Sequence, residues 1–338
     1  MDSLTHIVLG AAIGEAVLGK KIGRKAMLWG ALADTIPDFD VFAAYCGTTP
    51  AQQLLVHRGI THSFFFILIM SPLLGWLWSK WFKKSEVPVK SWTWLFFLGM
   101  LTHILLDSLT SYGTGWFEPF SSYRVSFNTI FVADPFYTLP FLVCVLVALV
   151  AKNGSPKRTR WNKIGLWISC LYLVFTMVNK WHVYNVMKTS LDEFPRTPYD
   201  DFTVTPTALN NFLWMGYTHD GYGAQIGYYS IFDKTRDIQY VHHSRNDSLL
   251  SQFPEDESIR ILKQFSKGQY LMTQDSSGVY FNDIRFGQMN GWDDPNSAFP
   301  FSYKLGRNSD NKTVLNRGKF KASFGDAFRS LYNRIKGR

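Results

Sequence analysis

Cysteine is scarce in this 338-residue chain. There are three, and Cys144 and Cys170 sit inside apolar runs, which excludes a disulfide scaffold. Charged residues are also thin, at 18% against 46% hydrophobic, and no biased repeat is present. A disordered chain and a collagen-like one are both excluded on that composition. No basic stretch precedes the first apolar run; the basic cluster follows it, and His6 and Glu15 interrupt it. That pattern does not fit a secretory signal peptide.

Aromatic residues are abundant, at 17% with 12 Trp, 28 Phe and 16 Tyr. The mean hydropathy of −0.06 averages two unlike halves. Residues 1–189 hold 17 Lys and Arg against nine Asp and Glu, and residues 190–338 hold 18 against 17. Nearly all of the net charge of +9 therefore belongs to the first half. The same half carries the long apolar runs: His62–Phe82, Trp92–Leu109, Pro135–Ala151 and Ile164–Val178, the last extending to Trp161 and Trp181. A helix needs roughly 20 apolar residues to cross about 30 Å of hydrocarbon. Trp and Tyr gather at the run ends, as an interfacial belt requires. Two weaker segments precede them: Leu4–Leu18, with Gly10 and Gly14 spaced for close helix packing, and Ala26–Ala44, interrupted by Asp34, Pro37, Asp38 and Asp40.

Basic residues orient these segments. Three clusters (Lys20 to Lys25, Lys80 to Lys90, Lys152 to Lys163) contain 13 of the 17 cations of the first half. Cytoplasmic loops attract such an excess. Placing all three inside gives six alternating segments, the first two short or polar enough to be re-entrant. The expected fold is thus an α-helical multi-pass membrane bundle over 1–189, in the inner membrane. A mostly β, extracytoplasmic domain over 190–338 follows it. Cations spread over three short loops do not make a nucleic-acid surface, so no direct nucleic-acid partner is expected.

The acids sort the opposite way. Seven of the nine (Asp2, Asp34, Asp38, Asp40, Asp107, Glu118, Asp134) map to outer ends or outer loops, at the level of His6, His57, His62 and His103. An Asp at membrane depth costs at least about 2.5 kcal/mol, and several converging there call for a compensating partner such as a divalent metal. His103 and Asp107 are i,i+4 and share one helix face, so imidazole and carboxylate can ligate one ion. Mixed His/Asp donors suit zinc best, with manganese or iron as alternatives. Two or more ions bridged by Asp could activate water for an in-line displacement at phosphorus. Asp40, left unbound, would take the proton, and Arg58 would pair with a phosphate oxygen. In the turn-rich loop Trp116–Arg124, Glu118 and Arg124 are candidate substrate contacts, or parts of an aromatic loop that seals the bundle.

The segments HIVLGAAIGEAVLG, ADTIPDFD, HRGITHSFFF, THILLDSLTSYGTGWFEPFS and ADPFY, in this order over about residues 1–180, resemble the YdjM-like family. Its members are described as LexA-binding, inner-membrane-associated, metal-dependent hydrolases, distantly similar to zinc-dependent phospholipases C and zinc nucleases. The resemblance implies that His6, Asp34, Asp38, His57, His62, His103 and Asp107 are metal ligands, with Asp40 a further candidate. It implies two zinc ions, three at most, and LexA as a protein partner. The soluble enzymes begin with a ligating Trp; this chain begins Met1-Asp2. The expected function is hydrolysis of a phosphoester of a membrane lipid or lipid-linked substrate at the outer interface. A transporter or proton relay using the same groups, although no inverted repeat is visible, and a regulatory or scaffolding membrane protein are the alternatives.

Beyond residue 190, short aromatic or alternating runs separated by Gly, Asn, Asp and Pro predict a small antiparallel β domain. The runs are Gly227–Phe232, Ile238–Val241, Gly278–Phe281 and Ala298–Tyr303. Ile259–Ser266 reads as a short helix, Phe194–Pro206 as an extended linker, and Lys319–Arg338 as a basic amphipathic tail. His219, His242 and His243 read as surface or packing residues.

Overall fold

The computed structural model describes residues 1–193, 199–318 and 324–338. They form two compact units: residues 1–46 with 56–176, and residues 47–55 with 177–338.

The first unit is helical. Helix α1 (Ser3–Ile22) starts at Asp2, whose carboxylate accepts the Thr5 N–H, a standard way to satisfy a first-turn donor. Gly23, in a left-handed conformation, turns the chain into α2 (Lys25–Thr35). The two helices meet backbone to backbone. A Cβ on Gly14 would lie 2.0 Å from the Ala26 carbonyl oxygen, and one on Gly10 would lie 2.4 Å from that of Gly30. The GxxxG spacing read from the sequence is thus used for close packing. Pro37 cannot donate the hydrogen bond that would continue α2, and the chain tightens into a 3-10 helix over Ile36–Tyr45. The segment expected over Ala26–Ala44 is therefore 11 α-helical residues followed by ten 3-10 residues. That is too little α-helix for a crossing.

Helix α3 (Pro50–Val56) lies largely in the other unit. Helix α4 (Phe64–Trp81) is capped by Ser63, whose hydroxyl accepts the Phe66 N–H. Helix α5 (Val89–Ser108) follows and is the centre of the unit, with Trp92, Leu95, Phe96, Met100, His103, Ile104 and Asp107 all without exposure. Helix α6 (Pro135–Val150) is capped by Asp134, which also accepts the Tyr172 hydroxyl at 2.8 Å. Helix α7 (Pro156–Glu193) has 38 residues, about 57 Å at the helical rise, and continues into the second unit. Among the described residues α4, α5 and α7 are the helices long and apolar enough to cross a membrane; α6 is apolar but shorter.

At the other end of α1, Glu15 and Arg158 form an ion pair, both nearly buried. Arg158 also donates to Asn153 at 2.6 Å, and Arg24 donates to the Val150 carbonyl at 3.0 Å. Arg24 and Arg158, from two of the basic clusters, thus close helix ends.

The second unit holds two four-stranded antiparallel sheets, each with its strands in sequence order. The first is β1 (Asp201–Pro206), β2 (Leu213–His219), β3 (Gly223–Ser230) and β4 (Val241–Ser244). The short helix α8 (Asp247–Leu250) and the amphipathic α9 (Glu257–Phe265) precede the second sheet. That sheet is β5 (Tyr270–Asp275), β6 (Gly278–Asp283), β7 (Ser302–Arg307) and β8 (Thr313–Arg317). Met215, Tyr217, Ala224 and Ile226 of the first sheet pack with Leu271, Ile284 and Phe299 of the second half. Val183, Val186, Met187 and Leu191 of α7 pack on Phe202, Val204 and Trp214.

Helix α10 (Phe324–Ile335) is docked through Leu331 against Leu213 and Trp292. The basic tail is thus part of the unit, at least from residue 324. Lys319 to Ser323 lie outside the described residues, as do Phe194 to Pro198. The linker expected over Phe194–Pro206 ends earlier than read, because β1 begins at Asp201. Two strand expectations are corrected. Ile238–Tyr240 precedes β4, with Ile238 packed into the core without joining the ladder. Ala298–Phe301 precedes β7, where Pro300 has no N–H to offer a ladder.

Candidate metal centre

The small-residue seam between α1 and α2 ends in chemistry. His6, Gly10 and Gly14 are one turn apart along α1, and Ala26, Gly30 and Asp34 are one turn apart along α2, so each trio occupies one face. Where the seam ends, His6 Nδ1 lies 3.0 Å from Asp34 Oδ2. A Cβ on Gly99 would meet Ala33 at 2.8 Å, so α5 is equally close. One turn further along, it presents His103 and then Asp107. The 3-10 helix supplies Asp38 and Asp40. Arg58 takes a left-handed conformation with φ 60° and donates its backbone N–H to Asp40 Oδ2 at 2.9 Å. A 3-10 turn over Ile60–His62 then delivers His62 at the mouth of α4.

Four donors converge. His62 Nε2 lies 3.1 Å from His103 Nε2, 3.4 Å from Asp38 Oδ1 and 3.5 Å from Asp107 Oδ2. His103 Nε2 lies 3.5 Å from the same two oxygens. Zinc bonds of about 2.0–2.1 Å in a tetrahedron place ligand atoms about 3.3 Å apart, so the spacings fit a divalent ion. Asp107 Oδ2 is buried and makes no hydrogen bond, its charged neighbour being Arg58 Nε at 3.1 Å, so an ion there would use lone pairs that are otherwise unsatisfied.

The remaining nitrogens are aimed by neighbours. His62 Nδ1 lies 3.0 Å from the Thr61 hydroxyl and 3.3 Å from Asp40 Oδ2, which turns Nε2 inward, as partners of metal-ligating histidines do. The His6 ring stacks on His103 with centroids 3.7 Å apart, and His6 Nε2 reaches Asp107 Oδ1 at 3.2 Å. Two further groups have metal-like spacing: His6, Asp34 and His103, and Asp38, Asp40 and His57. His103 and Asp38 each belong to two of the three groups. His219, His242 and His243 belong to none of those found among the described residues.

Two expected roles do not match the geometry. Asp40 is not an unengaged base. Its buried carboxylate accepts from His57 Nδ1 at 3.0 Å, the Arg58 N–H and the Thr61 hydroxyl at 3.1 Å. Burial works to raise its pKa, but the hydrogen bonds of His57 and His62 hold it well below the usual carboxylate range. A carboxylate so engaged is a weak proton acceptor and a good orienting or ligating group. Arg58 is not a free fork for phosphate. It is 3% exposed, with Nε 3.1 Å from Asp107 Oδ2, a hydrogen bond to Thr110 Oγ1 at 2.8 Å, and its guanidinium over the Tyr112 ring. It neutralises Asp107 instead.

Glu118 and Arg124 lie 3.8 Å apart. Arg124 donates to the His57 carbonyl at 2.9 Å, and the Gly115 N–H donates to that of Arg58. Their loop thus props the turn that carries His57 and Arg58. Burial pushes the Glu118 carboxyl up, against the pull of Arg124.

Sequence reasoning missed three participants: the Met1 amino group, which contacts Asp107 Oδ1, Thr110, and Thr102, whose hydroxyl reaches Asp34 Oδ1 at 3.2 Å. Thr102 directly precedes His103, and that adjacency was the available signal.

Residues 1–183, more than half of the chain, match the family described as YdjM inner membrane protein. The chain belongs to that family. A Bacillus subtilis (strain 168) relative, YfhP, is 27% identical over 218 residues, 61% of this chain and 62% of its own length. The inner membrane protein YbcI of Escherichia coli (strain K12) is 31% identical over 147 residues, 41% of this chain and 82% of its own. This chain therefore spans under two thirds of the Bacillus relative. No solved structure matches it. This YdjM-family protein is an inner membrane protein with three candidate spans and a buried His/Asp cluster able to bind metal, and the match over 1–183 takes in every residue of that cluster.

Proposed function

We propose that this protein is a membrane-embedded, metal-dependent hydrolase that cleaves a phosphoester of a lipid or lipid-linked substrate at the outer membrane interface. The observation that carries the reading is the convergence of Asp38 Oδ1, His62 Nε2, His103 Nε2 and Asp107 Oδ2 at ligand spacing. These four would hold one ion, and Asp38, Asp40 and His57 a second, with Asp38 common to both. Zinc suits the nitrogen and carboxylate donors best, with manganese or iron as alternatives. Divalent ions there would supply Lewis-acid polarisation of a phosphoryl oxygen and a more acidic water.

The chain's own residues do the rest. Arg58 pairs with the Asp107 carboxylate, and the Thr110 hydroxyl, bonded to Arg58 and to the Asp107 backbone carbonyl, fixes the two together. Asp40 and Thr61 set the His62 ring, while His6 and Thr102 set His103 and Asp34. His57 and Asp38, at 31% and 19% side-chain exposure, are the members of the cluster open to an incoming substrate. The cation clusters, read as cytoplasmic, support an outer position for this face and for the second unit.

The test is metal content by mass spectrometry on purified protein, together with phosphodiester hydrolysis in detergent. Bound divalent ion and turnover, both lost in His103→Ala, are expected. Protein purified without chelator that carries no such ion, with turnover unchanged in His103→Ala, would end this reading.

A further inference from the structure

An apolar groove of about 400 Å³ opens on the first unit and leads to the site. Phe66, Met70, Leu74 and Trp78 line it from α4, and Leu32, Ile36 and Phe39 from α2 and the 3-10 helix. The α4 residues are each four apart and form one stripe on the helix. Neighbouring Ile67, Ser71 and Gly75 are the buried contact of α4, where a Cβ on Gly75 would lie 2.2 Å from Thr93 of α5. With α2 and α4 both seated on α5, the groove is the gap left between them. Its polar lining residues are Asp40 and Thr61, the two that orient His62.

Size decides what fits. From Phe66 to Trp78 the stripe runs about 18 Å at the helical rise, close to the roughly 15 Å of hydrocarbon in one leaflet. A helix about 10 Å across displaces roughly 1,400 Å³ over that length, so it would rest on the rim. A single extended hydrocarbon chain enters. Around the groove α4 exposes Phe65, Leu68, Ile69, Leu73 and Trp76, a surface that in a membrane faces lipid. The groove is therefore continuous with the medium that supplies the chain.

We propose that this groove seats one acyl chain of a membrane lipid, with the lipid's headgroup linkage at the Asp40–Thr61 end. This inference rests on the hydrolase reading for the name substrate, and on the groove alone for the lipid site. It makes the substrate a lipid drawn sideways from the bilayer and not a water-soluble phosphoester.

The probe is a phospholipid with a diazirine in one acyl chain, in vesicles of phosphatidylethanolamine and phosphatidylglycerol containing the full chain. Labelled peptides are mapped by mass spectrometry. Labelling concentrated at Met70, Leu74 and Trp78, and about tenfold lower in Met70→Trp, the worth of roughly two excluded methylenes, is expected. Leu74→Phe is the milder second variant, and Leu68→Trp on the exposed flank should leave the pattern as it is. Labels spread evenly over Leu68, Leu73 and Trp76, unmoved by Met70→Trp, would overturn the lipid site. His103→Ala separates the two readings. If groove labelling persists while no variant or wild type turns over lipid, the chain site stands and the substrate assignment falls. If a soluble phosphodiester is hydrolysed equally in wild type and Met70→Trp while the groove goes unlabelled, the hydrolase stands and the groove falls.

Discussion

The Nε2 atoms of His62 and His103 face each other across 3.1 Å, each ring coming from a different helical element. Two neutral imidazoles cannot both present a lone pair at that distance without repulsion. Either one carries a proton or both meet a cation, and the carboxylates of Asp38 and Asp107 favour the cation. Replacing His62 or His103 by Ala removes one of four donors. Bound metal should fall below stoichiometry on simple dialysis, read by elemental mass spectrometry, with secondary structure retained.

Asp40 grips His57, Thr61 and His62 at once. Loss of such an orienting group typically costs about 10- to 100-fold in metal affinity. Asp40→Asn should therefore bind about one ion fewer, and the remaining ion more weakly, in a chelator competition titration. An unchanged titration would show that the carboxylate is a spectator.

Arg58 sits beside a fully buried Asp107. Removing one partner of a buried pair costs about 3–5 kcal/mol, so Arg58→Met should lower the thermal midpoint sharply in chelator. Added zinc should recover part of the loss, because an ion can replace the missing charge. A variant whose loss is insensitive to zinc would place Arg58 outside the electrostatics of the cluster.

Gly14 has no room for a side chain, the Ala26 carbonyl oxygen standing 2.0 Å from where a Cβ would be. Gly14→Val should separate α1 from α2, cost about 3 kcal/mol or more, and weaken metal binding by displacing His6 from Asp34. Thermal melts and metal content on the same sample check both effects.

In the second unit, Arg334 donates to both carboxylate oxygens of Asp233 at 2.7 Å. Burial raises the Asp233 pKa, but the Arg334 hydrogen bonds outweigh it and leave it lowered. A depressed carboxylate contributes stability above its unfolded value, near 4, and that contribution disappears as pH falls through the folded value. Protection of α10 in hydrogen exchange should therefore decline below about pH 4. Asp233→Asn should show weaker protection at neutral pH and no such decline.

Much of this was legible in the chain. The apolar runs placed α4, α5 and α6 within three residues at each end, and four of the seven acids expected at one level, Asp34, Asp38, Asp40 and Asp107, meet the four histidines expected there. The tail of the list of roles was not legible. Whether Arg58 faces a phosphate or a carboxylate depends on a left-handed residue and on Asp107, 49 positions away, and no local pattern encodes that pairing. Asp40 likewise looked unengaged because its donors, His57 and Thr61, lie on a turn whose 3-10 geometry the sequence did not announce. In the second unit β2 was missed since its seven residues are nearly all buried, which removes the alternation that marks a half-exposed strand.

The glycine seam carries one more consequence. Gly10 stands one turn from His6 and Gly30 one turn from Asp34, so the gap between two donor-bearing side chains inherits the gap between two backbones. A single added methyl at Gly30 would widen that gap while leaving every donor atom chemically untouched. Ion preference, set by the radius the donors enclose, can therefore drift through positions that carry no chemistry. The selectivity of such a centre would be adjustable from the glycine seam, and relatives with Ala at these positions should favour larger cations than this chain.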